Sequence, residues 1–323
     1  MGFNFYLPNT QNFTVDGGAN GGSISTPNGG QSFEGNSTTA RNITIQNVSF
    51  VGKAINVDID GPANSNITFN HDLFSGSDCM TAGSGVAIHL SYSGSAPSGV
   101  TVENSTIENG SSDGIQSGTA MTILNNYFYN LIETSAEMSA CHTDAIQFYG
   151  MTGGQTVIEG NWFVNTSDGI GSWNGDNAPG YIIENNVFDH QTEESAIALH
   201  LDNGSTVEHN TCIDPGAACL DLTGLSGQPS VGTVVKDNIF DARDAYDLSN
   251  ADPASVVDNM DSSGATGSDF NGTPTFIGGT GFPFGSPADY LLSSTSTGHA
   301  RADDSTSVGI TGLPQTNYGP QTS

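Results

Sequence analysis

The chain has 323 residues and a formal charge of −29, from 34 acidic against 5 basic side chains. Such a field repels nucleic acid and anionic membrane surfaces, and it disfavours a polyanionic substrate unless a cation mediates. No segment is long and apolar enough to span a bilayer. The 42 Gly and only 13 Pro suit tight turns between short strands.

The opening MGFNFYLPNT lacks the basic and apolar regions of a secretory leader. The expectation is that a leader was removed or that the protein leaves the cell another way, as a virion component does. Residues 1–40 are rich in Gly, Asn and Ser and hold one strand-like run, FTVDGG. They are read as an N-terminal cap, because an open coil end exposes an unpaired strand edge.

From residue 41 a unit repeats. It reads NITIQNVSF, NITFNHDLF, GVTVENSTI, MTILNNYF, TVIEGNWF, YIIENNVF, TVEHNTCI and TVVKDNIF. Its apolar ends are Phe50, Phe74, Ile107, Phe128, Phe163, Phe188, Cys212 and Phe240. Before each end, apolar and polar residues alternate, which marks strand. A repeat that cannot bury its apolar face alone must stack on its neighbours. A second motif follows the first, as KAINV, VAIHL, DGIQS, DAIQF, DGIGS, SAIAL and ACLDL. It predicts an inward column of Ile55, Ile88, Ile115, Ile146, Ile170, Ile197 and Leu220. A third column, two residues before the apolar ends, holds Asn126, Asn161, Asn186, Asn210 and Asn238. Their amides can bond one another when parallel strands stack in register about 4.8 Å apart.

These three columns resemble the right-handed parallel β-helix proteins of the pectate-lyase-like superfamily. The fold expected is therefore all-β, a right-handed parallel β-helix of about nine coils over residues 41–245, with residues 246–323 as a C-terminal cap. The stretch PTFIGGTGF…SPADYLLSSTSTGHA resembles the C-terminal segment of many extracellular β-helix proteins. The longest insertion lies between Phe128 and His142, and LIETSAEMSA within it is the one helix candidate.

None of the four cysteines, Cys79, Cys141, Cys212 and Cys219, forms a CxxC pair, which argues against a zinc knuckle. Cys212 occupies the inward Phe column as a core thiol would. Cys212 with Cys219 could instead close a small loop, and Cys79 with Cys141 a large one.

At the start of the second motif the aligned residues are Lys53, Val86, Asp113, Asp144, Asp168, Ser195 and Ala218. Three aspartates thus fall in successive coils. They are expected at the bend entering the strand, with side chains turned to solvent. The outward column is Asn56, His89, Gln116, Gln147, Gly171, Ala198 and Asp221, followed by Tyr149, Trp173 and His200. His142 stands two residues before Asp144. Asp before Gly is also a turn former, but Asp144 precedes Ala. Asp113, Asp144, Asp168 and His142 are therefore the catalytic candidates. His89, Gln116, Gln147, Tyr149, Trp173 and His200 are candidates for holding substrate. His71, His190 and His209 fall on another strand's face and are read as surface residues.

Two chemistries fit stacked carboxylates. In one, a carboxylic acid and a carboxylate cleave a glycosidic bond; NTSDGI at 165–170 is similar to an element of polygalacturonase-type hydrolases, without the rest of that signature. In the other, Asp113, Asp144 and Asp168 hold Ca²⁺, a hard cation suited to oxygen ligands, while a base removes a proton beside a uronate. Such enzymes commonly use Arg or Lys as base; His142, helped by Tyr149, stands in that place here. The reading is an extracellular, polysaccharide-cleaving enzyme, secreted or virion-associated. Hydrolysis is placed ahead of elimination because cations are so few. No cofactor is required. The partner is a polysaccharide or cell-surface glycan, with no nucleic acid and no membrane, and the protein is a monomer or homotrimer. The alternative is a non-catalytic adhesin or phage tail-fibre module.

Overall fold

The computed structural model describes residues 5–6, 9–26, 33–34, 39–80, 85–91, 96–134, 141–175, 180–264, 268–311 and 318–319. Residues 135–140, most of the expected helical insertion, lie outside them. The chain forms two compact units, Met1–Gly154 with Asn317–Ser323, and Gln155–Thr316.

In the first unit every full turn carries three strands, each paired in parallel with its counterpart one turn on. The first row is Gln11–Asp16, Arg41–Gln46, Ser65–Asn70, Ser98–Glu103 and Met121–Leu124. The second is Gly22–Thr26, Val48–Gly52, Leu73–Ser75, Thr106–Gly110 and Tyr127–Leu131. The third includes Val57–Ile59, Ile88–Leu90, Ile115–Thr119 and Asp144–Thr152. Alternate residues point inward, as strand geometry requires. Ile43, Ile67, Val100 and Met121 therefore form one buried column and Ile45, Phe69, Val102 and Ile123 another. Phe50 stacks on Phe74 with ring centroids 5.0 Å apart.

The third row corrects one expectation. Ile88 pairs with Val57, not with Ile55. Val57 and Ile59 are fully buried, and Ile55 is only partly so. The run AINVDI has apolar residues at both registers, so its pattern alone could not choose. The two-residue shift replaces Asn56 with Asp58 as the outward neighbour of His89. It also removes Lys53 from the aspartate column; Lys53 Nζ instead lies 3.1 Å from Asp78.

The second unit repeats the plan, with third-row strands Asp168–Ser172, Ile197–Leu199, Ala218–Asp221 and Asp244–Asp247. Ile170, Ile197 and Leu220 are buried in register, and Phe163 stacks on Phe188 at 4.6 Å. At the bend between its first and second strands runs the asparagine ladder. Each Nδ2 of Asn161, Asn186, Asn210 and Asn238 donates to the next amide oxygen, and Asn238 donates to Asn259. Asn259 in turn donates to Asp269, so the ladder reaches past residue 245. The strands Ser255–Asp261 and Ser268–Asn271 that carry these last two residues pair in the same sense.

The residue just before this amide column bends left-handed. Asn47, Asn104 and Asn125 in the first unit, and Asn185, His209 and Asp237 in the second, have φ between 51° and 57°. A second left-handed column lies at the penultimate position of the second strand, with Asn109, Asn130, Asn165 and His190 at φ 54° to 61°. Asn, Asp and His tolerate this conformation best among non-glycine residues. His190 and His209 are thus turn residues, and so is His71 at φ 56°.

Both cysteine pairs are disulfides, Cys79–Cys141 and Cys212–Cys219. Cys212 keeps its place in the inward column and is fully buried. After the last strand, Phe276, Phe282, Phe284 and Tyr290 form an aromatic cluster. Tyr290 packs edge-on to Trp162 at 6.3 Å and donates its hydroxyl to Asp189.

Candidate functional site

The expected residues gather in the first unit where the chain enters two adjacent third-row strands. Asp113 and Asp144 open these strands and are 4% and 0% exposed. This differs from the expected solvent-facing placement. The reason is structural: Asp113 Oδ1 accepts the backbone N–H of Asp144, one coil on, at 3.0 Å. A carboxylate at this bend satisfies a peptide group that the tight turn would leave unpaired. Asp168, in the second unit, does the same, accepting from the Glu194 backbone N–H at 2.8 Å.

Around the two carboxyls runs a closed set of contacts. Gln116 Nε2 donates to Asp113 Oδ2 at 3.0 Å and to Gln147 Oε1 at 2.5 Å. Gln147 Nε2 lies 3.1 Å from His142 Nε2, and His142 Nδ1 lies 3.0 Å from Asp144 Oδ2. An amide N–H can only donate, so His142 Nε2 is the acceptor there and the ring proton sits on Nδ1, which is at ion-pair distance from Asp144 but outside hydrogen-bond geometry. Gln116 and Gln147 are direct cross-strand partners, which is why their amides meet. Burial pushes the Asp113 carboxyl up to about 8, and the nearby Asp144 charge adds to the rise. Asp113 is therefore mostly protonated at neutral pH. The His142 side chain is 55% exposed.

His89 pairs across strands with Gln116 and its Nδ1 lies 2.8 Å from Asp58 Oδ1. Tyr149, on the same strand as Gln147, is 42% exposed. Asp168, Trp173 and His200 belong to the second unit. There the Trp173 ring packs edge-on to His200 at 5.1 Å. His200 Nε2 lies 2.9 Å from Asp221 Oδ2. Burial opposes charging of this imidazole, but the bond to Asp221 prevails and lifts its pKa above the ordinary histidine value.

Two sets of side chains could converge on a cation, Asp113 with His142 and Asp144, and Asp58 with Asp60 and His89. Ca²⁺ takes about six to eight oxygen ligands. Each set offers two carboxylates and a nitrogen, and both Asp113 oxygens are already engaged. These donors do not fit a calcium cage; a nitrogen-accepting cation suits them better.

Sequence reading passed over a further ladder. Glu159, Glu184, Glu208 and Lys236 are successive partners on the first-row strands of the second unit. The repeat itself carries the signal, as TVIE, YIIE, TVE and TVVK. Burial, then the charges of Glu208 and Glu159, push Glu184 up to about 7. Lys236 Nζ lies 3.1 Å from Glu208 and 3.2 Å from Asp303. Through Lys236 the ladder is tied to the C-terminal segment.

Among solved structures, the crystal structure of pectate lyase Pel9A is similar to this chain. The match has a TM-score of 0.43 and 13% sequence identity, and it covers 96% of this chain and 86% of that one. No family model matches the sequence, and no curated protein does.

Proposed function

We propose that the protein is an extracellular, polysaccharide-cleaving enzyme in which His142 moves the proton. The observation that carries this is the ring of contacts around Asp113 and Asp144, because it exposes an imidazole and buries both carboxyls. A carboxyl closed off from solvent cannot reach a glycosidic oxygen, so direct two-carboxylate hydrolysis is the less supported route. An exposed imidazole beside a buried carboxylate is suited to act as a general base near neutral pH.

The chemistry follows from those positions. Once substrate displaces the Gln147 amide from His142 Nε2, that nitrogen is free to take the proton beside a uronate carboxyl. Asp144 balances the positive charge that develops across the ring. Asp113, protonated, keeps a second negative charge from competing for it. The electron pair left on carbon forms the double bond as the glycosidic C–O bond breaks. The departing oxygen takes its proton from the Tyr149 hydroxyl or from water. The two disulfides agree with an oxidising, extracellular location.

The test is a polysaccharide panel read for new reducing ends and for unsaturated-uronate absorbance. Both signals are expected, and His142→Ala and Asp144→Asn should each lower the rate by about a hundredfold or more. Reducing ends without a double bond would replace elimination with hydrolysis. Binding without cleavage by the parent protein would favour the adhesin reading.

A further inference from the structure

A groove of about 680 Å³ lies in the first unit, lined by residues from the second-row strands and the turns that follow them. None of the residues proposed above for catalysis lines it. Its floor is bare backbone, because Gly52, Gly76 and Gly110 come from three turns of the coil. At Gly76 a side chain is disfavoured outright, with φ at +92°. The walls repeat with the coils. Ser77 and Ser111 supply hydroxyls, and Asn109 and Asn130 supply amides joined by a 2.9 Å hydrogen bond. Among the described residues the groove's ionic groups, Lys53 and Asp78, pair with each other at 3.1 Å, so their charges offset.

We infer that this groove binds a stretch of uncharged polysaccharide chain, apart from the cleaving site. Three observations converge on that ligand class. The lining recurs at the strand spacing of about 4.8 Å, so a polymer of similar repeat meets the same groups at each step. Hydroxyls, amides and exposed apolar surface such as Val51, 39% exposed, match the hydroxyl edges and C–H faces of a sugar ring. An anionic chain is disfavoured because Lys53, the lining cation among the described residues, is already paired and the protein carries −29 overall.

Calorimetric titration with β-1,4-linked hexaoses of glucose, xylose and mannose tests the inference, with a galacturonate hexamer as the anionic control. At least one neutral hexaose should bind, and any galacturonate binding should be insensitive to filling the groove. Val51→Trp, which fills the groove, should weaken the neutral binding at least tenfold. Asn109→Gly with Asn130→Gly should weaken it too, since Gly keeps the left-handed turn while removing the amides. His142→Ala should leave it unchanged, whether or not the protein cleaves anything. Absence of neutral binding, loss of galacturonate binding with Val51→Trp to the same extent as neutral binding, or loss of neutral binding with His142→Ala but not with Val51→Trp would each overturn it.

Discussion

The two units close the same bend with different chemistry. In the second unit the bend is held by Asn161, Asn186, Asn210, Asn238 and Asn259. Each side chain except the first accepts from the preceding asparagine, and each donates onward, at 2.8 to 3.1 Å. In the first unit the matching column is Asp72, Ser105 and Asn126. Val48 N–H donates to Asp72 Oδ1 at 2.8 Å, Asp72 N–H to Ser105 Oγ at 3.0 Å, and Ser105 N–H to Asn126 Oδ1 at 2.9 Å. An amide donates and accepts at once, so a ladder of amides extends without limit. A carboxylate only accepts, so a buried one must stay protonated or bear an uncompensated charge. Burial pushes Asp72 up to about 8. The amide bend is indifferent to pH, and the mixed one is not.

Breaking the amide ladder should have the largest effect. Asn210→Ala leaves the Asn186 N–H without its acceptor and removes the side-chain bonds to Asn186 Nδ2, Ile183, Glu208 and Asn238, of which Asn186 Nδ2 keeps Ile158 and Asn238 Oδ1 keeps the Asn210 N–H. Each buried orphan costs about 1–3 kcal/mol, so a loss of roughly 3 kcal/mol or more is expected in urea unfolding. Ser105→Ala in the first unit removes fewer partners and should cost less; an equal loss at both sites would erase the distinction between the units.

The pH dependence sharpens it. Unfolded, Asp72 ionises near pH 3.9; folded, it holds its proton up to about 8. Its stabilising contribution is thus complete below about pH 4 and is lost as pH rises toward 8. Asp113, also raised to about 8, acts in the same direction. Asp72→Asn keeps the acceptor for Val48 without the charge. It should raise stability at pH 8 by at least about 1.4 kcal/mol, the equivalent of one pKa unit, and flatten the fall between pH 5 and 8. An unchanged pH profile would remove Asp72 from this account.

The smallest effect is expected at Asn56. Its side chain is fully buried, and neither its nitrogen nor its oxygen has a partner among the described residues. The third-row register sets it beside Ala87, with Ala145 at the same position further along. Asn56→Ala should therefore stabilise the protein by about 1 kcal/mol, with the urea dependence unchanged. Destabilisation would mean that the amide has a partner after all.

Much of this was legible in the chain. The apolar columns and the asparagine ladder are written in the repeat, because a strand's period of two and a parallel register impose them coil after coil. Clustering of Asp113, Asp144, His142, Gln116 and Gln147 was legible too, since equal spacing from the inward Ile puts them at one height. Asp58 was missed because AINVDI reads as a strand in two registers. The glutamate ladder was overlooked although its residues end the same aligned strands.

The sequence by itself therefore determined the coil, its inward faces and the residue types at its bends, all consequences of local backbone geometry and short-range pattern. Tertiary structure decided the register of Val57, the direction of each side chain at a bend and which acids are buried. It also selected the cysteine pairings from among those the chain allows, and it assembled the groove beside Lys53 and Asp78. Those depend on which peptide group or side chain of the neighbouring coil lies within reach. That neighbour is distant in sequence and adjacent only once the strands have paired.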